Sequence, residues 1–218
     1  MIDWQNLKHP IQIFENGDCM DYMKTMPDNF IDLCICDPLY GIERAEGIEM
    51  GNWKREIHKK KDWDNEAPKK EYFTELFRVS KNQIIWGGNY FIEHLFNTRC
   101  MLVWDKKNGT NPMSDCELAW TSFDSSVRKY VYSHIQDYNA GIDRIHPTQK
   151  PIALYKWLLT KYAKEGDLIL DTHVGSASSL IACEDMGFNY VGFEIDKDYY
   201  EAAQKRLKQF RSQLKLGL

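Results

Sequence analysis

The sequence predicts an α/β fold with a mostly parallel central sheet. Three observations carry that expectation. Short apolar runs alternate with amphipathic stretches along the chain, the pattern of strands linked by crossover helices. Ile31–Cys36 (IDLCIC) reads as a buried strand that stops at Asp37-Pro38. Residues 167–194 read as strand, tight turn, helix, and a strand ending in an acid.

The elements follow in order. Ile11–Phe14 reads as a strand ended by Asn16-Gly17-Asp18, and Cys19–Met26 as a short helix. After Asp37-Pro38 the stretch from Gly41 to Pro68 is polar and weakly patterned, and loops of that length are usually functional or mobile. Lys70–Val79 is a helix carrying Tyr72, Phe73, Leu76 and Phe77, and Gln83–Trp86 is a strand closed by Gly87-Gly88. Met101–Trp104, Glu117–Thr121 and Val127–Tyr132 read as further strands, the last two as a candidate hairpin. Pro151 opens a helix with Ile152, Tyr155, Leu158, Leu159 and Tyr162 at helical spacing. Leu168–Leu170 is a strand, a helix runs through Met186, and Tyr190–Ile195 is a strand. The final helix is expected to bury Tyr200, Ala203, Leu207, Phe210 and Leu214.

The 218 residues fit one domain with a sizeable core, and 43% hydrophobic with 28% charged residues describe a globular chain. No apolar run approaches the roughly 20 residues that span a bilayer. The opening MIDWQNLKHP lacks the apolar centre of a signal peptide, so a cytoplasmic protein with no membrane partner is expected. The six cysteines are scattered without a CxxC pair, which indicates reduced, buried thiols and neither zinc nor a disulfide framework. The six histidines are dispersed, and no metal is expected. A net charge of −4 argues against a nucleic-acid coat protein, which would be basic overall, but leaves room for a local basic surface. Lys54, Arg55, Lys59, Lys60 and Lys61 form such a cluster.

An acid about 20 residues after a glycine turn suits a ribose diol, because a carboxylate accepts from both hydroxyls. Glu194 holds that position after Gly175, and Ser176, Ser178 and Ser179 offer hydroxyls and N–H groups at a helix start. One glycine is too few for a dinucleotide fingerprint, so a plain βαβ turn is an alternative. Asp37-Pro38-Leu39-Tyr40 sits at a strand's carboxyl end, where open α/β sheets bind ligands, and offers a carboxylate, a carbonyl and a ring. A packed strand-ending turn is the bland alternative.

The order of the motifs distinguishes these readings. Asp37-Pro38-Leu39-Tyr40 resembles the D-P-P-Y motif of DNA amino-methyltransferases. Its companions stand in the order of that family's beta class: Asn16-Gly17-Asp18 upstream, and downstream His146-Pro147-Thr148-Gln149-Lys150-Pro151, DTHVGSASS from Asp171, and Val191–Asp196. Leu39 departs from the second proline, Ala177 from a glycine and His173 from an aromatic residue. The resemblance implies a Rossmann-like S-adenosylmethionine-dependent methyltransferase fold with circularly permuted motif order. It implies S-adenosylmethionine as cofactor, S-adenosylhomocysteine as product, no metal, DNA as partner, and a prokaryotic or phage source. A homodimer is left open.

Asp37, Pro38 and Tyr40 are then the catalytic candidates. The cofactor candidates are Asp18, Cys19, Asp37, Lys150, Asp171, His173, Gly175, Ser176, Ser178 and Glu194. The carboxylate of Asp37 and the carbonyl of Pro38 can each accept one N–H of an exocyclic amine, which aims its lone pair at a methyl donor. The base must be flipped from the duplex, and Tyr40 would stack on it. Asp37 favours adenine, since members with Ser there commonly take cytosine's amino group. No Pro-Cys dipeptide is present, which argues against cytosine ring-carbon methylation. A protein or small-molecule amine methyltransferase and a non-catalytic DNA-binding or partner subunit are the remote alternatives.

A small target-recognition insertion is expected within 105–145 of an otherwise single domain spanning 1–218. The segment Ile42–Asp64 is expected to be mobile without DNA and to meet phosphates through its lysines and Arg55. Lys106, Lys107, Arg128 and Lys129 are the reserve surface.

Overall fold

The computed structural model describes residues 2–41, 67–109, 114–133, 136, 144–146 and 148–216. The basic cluster Lys54, Arg55, Lys59, Lys60 and Lys61, the whole of Ile42–Asp64, Pro147 and the side chain of Leu214 lie outside them.

The described strands are β1 (Gln12–Asn16), β2 (Ile31–Cys36), β3 (Ser80–Trp86), β4 (Met101–Asp105), β5 (Cys116–Thr121), β6 (Arg128–Val131), β7 (Leu168–Asp171) and β8 (Asn189–Glu194). The helices are α1 (Cys19–Met23), α2 (Lys70–Val79), α3 (Ile152–Tyr162), α4 (Ser178–Met186) and α5 (Lys197–Leu216). Two short 3₁₀ turns, Gly88–Tyr90 and Ile92–His94, follow β3. The strands form one sheet in the order β1-β8-β7-β2-β3-β5-β4-β6. Ladders from β1 through β3 are parallel, β5 is antiparallel to β3 and β4, and β6 is parallel to β4. This is the expected α/β fold with a mostly parallel sheet.

Strand alternation divides the core into two layers. Leu33 and Ile35 of β2 face a core with Leu154 and Leu158 of α3, Ile181 of α4, and Ala203 and Leu207 of α5. Cys34 and Cys36 face the other layer, with Met23 of α1 and Phe73 and Leu76 of α2. Cys34 and Cys36 thus share one face of β2. Cys116 departs from the expectation of buried thiols, since it is exposed at the start of β5.

The candidate hairpin is corrected. Glu117–Thr121 and Val127–Tyr132 do not pair, because β4 lies between β5 and β6. The linking SFDSS has no glycine turn to fold two strands tightly together. The edge strand is fixed to β4 instead: the Trp104 indole N–H donates to the Tyr132 carbonyl at 2.9 Å, and Lys129 donates to Asp105 at 3.2 Å. Tyr130 stacks on Trp157 of α3 with centroids 5.1 Å apart. Among the described residues no helix is long and apolar enough to cross a membrane.

The chain runs outward from β2 to β3 in one direction and from β7 to β8 to β1's flank in the other. A crevice thus opens at the carboxyl ends of β2 and β7, the switch point where open α/β sheets hold ligands. The turn after β2 precedes the turn after β7 in sequence, which is the permuted motif order.

Candidate active site

Every segment singled out by motif and described in the structure reaches this crevice. One cavity is lined by Gly17, Asp18 and Cys19 before and at the start of α1, by Asp37 and Leu39 after β2, and by Thr172–Ser176 after β7. Glu194 and Ile195 at the end of β8, Tyr155 of α3, and His146 and Thr148–Lys150 close it. Among the cofactor candidates, Asp18, Cys19, Asp37, Lys150, His173, Gly175, Ser176 and Glu194 line the cavity, while Asp171 and Ser178 stand behind its wall.

The wall after β7 is a tight turn held by its own backbone. Gly175 has a left-handed φ of 54°, and its N–H donates to Glu194 at 2.8 Å. The nearest atoms a Cβ at Gly175 would meet are those of the His146 ring at 3.6 Å, an ordinary contact, so the turn there requires the backbone conformation rather than the space. The other Glu194 oxygen accepts from the Asp196 N–H at 2.8 Å. Burial pushes the Glu194 carboxyl up, against the N–H bonds from Asp196 and Gly175. A carboxylate has about four acceptor sites, so Glu194, which lines the cavity, can accept further bonds.

Asp171 closes the turn from behind, accepting from the Ser179 hydroxyl and from the His173 N–H at 3.0 Å. Burial pushes its carboxyl up to about 7 despite those bonds. Ser178 is turned to Ser176, 3.1 Å away, and both are tied to α5 by Arg206, which donates to the Ser176 carbonyl at 2.7 Å. Burial holds His173 down at about 4, opposed by Asp18, so the ring is neutral near pH 7. It packs edge-on against Tyr72 at 5.5 Å, and Tyr72 is bonded to Thr172 at 2.7 Å. Asp18 caps α1 by accepting from the Met20 N–H at 2.9 Å.

The opposite wall is built from side chains. Tyr40 donates its hydroxyl to one Asp37 oxygen at 2.6 Å, and Lys150 donates to the other. Pro38 is buried. Tyr40 lies outside the cofactor-type cavity, stacked on Tyr90 with centroids 4.7 Å apart and edge-on to Phe91. Gly87 makes room for it: with φ 68°, a Cβ there would fall 2.1 Å from the Tyr40 ring. Burial, then Asp37 and Glu117, raise the Tyr40 hydroxyl far above the usual tyrosine range, so it remains a donor.

Lys150 is buried and lies 3.0 Å from Glu117, which in turn lies 2.6 Å from the buried Lys106. Burial opposes the charges, but Asp37 and then Glu117 hold the Lys150 ammonium above its ordinary range. Burial likewise opposes the Glu117 charge, and Lys150 and Lys106 overcome it, holding the carboxyl down at about 2.

Sequence reasoning left Glu117 and Lys106 out of the site. Their one signal was a pair of opposite charges at facing ends of two short strands. Lys106 is thereby withdrawn from the reserve DNA surface, and Lys129 is engaged with Asp105. Tyr90 and the lining residues His146, Thr148, Gln149 and Tyr155 were also unassigned; the last four lie in or just after a motif that was recognised as a whole.

Comparison with known proteins agrees with this geometry. The N6/N4 methyltransferase family model, described as DNA methylase, matches residues 119–205. The Type II methyltransferase M.HinfI of Haemophilus influenzae is 24% identical over 95% of this chain and 71% of its own length. The M1.HpyAVI–SAM complex superimposes with a TM-score of 0.59 at 19% identity, covering 89% of this chain and 98% of that one. The cytosine-N4-specific PvuII DNA methyltransferase does so with a TM-score of 0.57 at 12% identity, covering 92% and 91%. At such identities the structural likeness is one of fold. The motif order, the family model over residues 119–205 and the curated relative agree in their likeness: this chain is similar to DNA amino-methyltransferases.

Proposed function

We propose that this chain transfers the methyl group of S-adenosylmethionine to the exocyclic amino nitrogen of adenine in DNA, at a specific sequence. One observation carries the reading: Asp37 lines the same cavity as Gly175 and Glu194. An acceptor for an amine and an acceptor for a ribose therefore share one cleft. The cavity chemistry fits the cofactor, with Glu194 toward the ribose hydroxyls and Asp18 toward the adenine. S-adenosylmethionine supplies the methyl group.

The chain's own residues supply position and charge. Asp37 and the Pro38 carbonyl accept the two N–H bonds of the target amine, and the Asp37 side chain or a water beside it receives the released proton. Tyr40 is both a donor to Asp37 and a platform for the extruded base. Its ring is already stacked on Tyr90, which is 46% exposed, so the base displaces Tyr90 or extends the stack. The basic cluster Lys54, Arg55, Lys59, Lys60 and Lys61 is proposed to grip phosphates, and the segment 105–145 to read sequence. The relatives include a cytosine-N4-specific enzyme, and the choice of adenine rests on Asp37 at the first motif position.

The test is incubation with methyl-labelled S-adenosylmethionine and a mixture of DNA, RNA and protein, followed by digestion of the DNA and mass spectrometry. Amino-methylated adenine is expected. Amino-methylated cytosine alone would change the base, and label confined to protein would overturn the reading.

A further inference from the structure

We propose that Glu117 and Lys106 are positioning residues for the Asp37 carboxylate, acting through Lys150. The inference rests on the reading of Asp37 as the acceptor of the target amine.

The geometry is a line of alternating charges that begins at the β2 turn and ends at the foot of the β4–β5 connection. Asp37 is held by Lys150, Lys150 is 3.0 Å from Glu117, and Glu117 is 2.6 Å from Lys106. Two anions and two cations sum to zero, so the line adds no net charge to the interior. Each ammonium also rests on an aromatic face: Lys150 is 5.4 Å from the Trp86 centroid and Lys106 is 5.3 Å from that of Trp104. Lys106 is fixed further by its N–H to the Asp115 carbonyl at 2.9 Å and by its contact with Ser114 at 3.4 Å.

Fold stability alone does not call for such a line. Well-packed apolar residues often serve a core as well as buried ion pairs do. What the line does provide is direction. Lys150 has three donors and a flexible stem, so one carboxylate would not fix it. Glu117 supplies the second fixed point and Lys106 keeps Glu117 in place. Lys150 then engages one defined oxygen of Asp37, while Tyr40 donates to the other, so both oxygens are fixed in place. The groups facing Lys150 are Asp37, Glu117, Tyr155 and the Trp86 ring, and those facing Glu117 are Lys150, Lys106 and Tyr40. Removing the Glu117 charge takes one of two anions from Lys150, so its deprotonation moves to lower pH.

The experiment compares wild type, Glu117→Gln, Lys106→Met and the double variant. In Glu117→Gln we expect kcat for DNA methylation to fall about ten- to hundredfold, the scale of one lost charge-assisted contact. Affinity for S-adenosylmethionine and KM for DNA should stay within a few-fold. The basic limb of the kcat profile should shift to lower pH. The double variant restores the charge balance and should recover part of the rate, which loss of a merely structural contact would not do.

Lysine-selective NMR gives a readout without turnover. The Lys150 ammonium should stay protonated past the ordinary lysine range, about pH 10.4, in wild type and titrate lower in Glu117→Gln. A folded Glu117→Gln protein with wild-type kcat, pH profile and Lys150 titration would overturn the inference. So would singles that fail to fold alongside a folded double variant of wild-type kcat and pH profile. A wild-type protein that methylates no DNA would instead defeat the proposed function, and the Lys150 titration would still decide whether Glu117 acts on Lys150.

Discussion

Around β1, β8, β7 and β2 every ladder is parallel, and the cavity wall is largely backbone: a left-handed glycine, N–H groups aimed at one carboxylate, a helix start. Around β3, β5, β4 and β6 the directions mix, and the wall is side chains: a tyrosine stack, a buried lysine, a line of ion pairs. The difference is instructive. A wall of backbone depends on conformation and tolerates changes of residue, as Ala177 and His173 stand where the family commonly has glycine and an aromatic. A wall of side chains depends on particular atoms. Substitutions on the target side should therefore affect turnover, and those on the cofactor side should affect affinity.

The largest expected effect is on the target side. Asp37→Ala should abolish methyl transfer while leaving S-adenosylmethionine binding largely intact, measured by single-turnover assay and calorimetry. Substantial turnover by the folded variant would remove Asp37 from its role and blur the contrast between the walls. Gly87→Ala should come next. Its Cβ would fall on the Tyr40 ring, and the left-handed backbone adds about 1–3 kcal/mol of strain. Transfer should fall steeply, with a lower melting temperature and little change in cofactor affinity. Normal turnover would mean that Tyr40 need not sit where it does.

On the cofactor side, Glu194→Ala should weaken S-adenosylmethionine binding roughly ten- to hundredfold, from the loss of about 1.5–3 kcal/mol. The base modified should not change. Unaltered affinity by calorimetry would move the ribose contact elsewhere. Lys59, Lys60 and Lys61 changed together to Ala test whether gripping DNA is separable from both walls. Each lost phosphate contact should flatten the slope of log affinity against log salt by about 0.9 on duplex DNA. An unaltered slope would leave the grip to other cations, Lys107 and Arg128 among them.

The smallest effect is expected at Ala177, a non-glycine residue at φ 62° in a backbone-built wall. Glycine there relieves about 1–2 kcal/mol of left-handed strain and loses a buried methyl worth about 0.8 kcal/mol. Ala177→Gly should raise thermal stability slightly and leave turnover unchanged. A clear destabilisation would show that this wall, too, depends on its side chains.

The same contrast explains what could be read from the sequence. The unit of β7, α4 and β8 was legible because a strand, turn, helix and acid follow one another within residues 167–194, and local order dictates local structure. Ile31–Cys36 and Lys70–Val79 were legible to the residue, since a buried run and a helical period end at clear breaks. The charge line was not legible, because Lys106, Glu117 and Lys150 meet only through the pairing of β4 with β5 and the return of the chain before α3. The hairpin misreading has the same source: two neighbouring strands in sequence are separated by a third that pairs with both. Pairing over distance is decided by the whole sheet, and no window of sequence contains it.

The central claim is that one cleft holds the cofactor's ribose at Glu194 and presents Asp37 to the target amine. A crystal structure with S-adenosylhomocysteine tests it most directly. The account predicts the ribose hydroxyls on Glu194, the adenine beside Asp18, and the sulfur directed toward Asp37 and Pro38. A ligand bound in another cleft, or one with its ribose turned away from Glu194 and its sulfur away from Asp37, would contradict it.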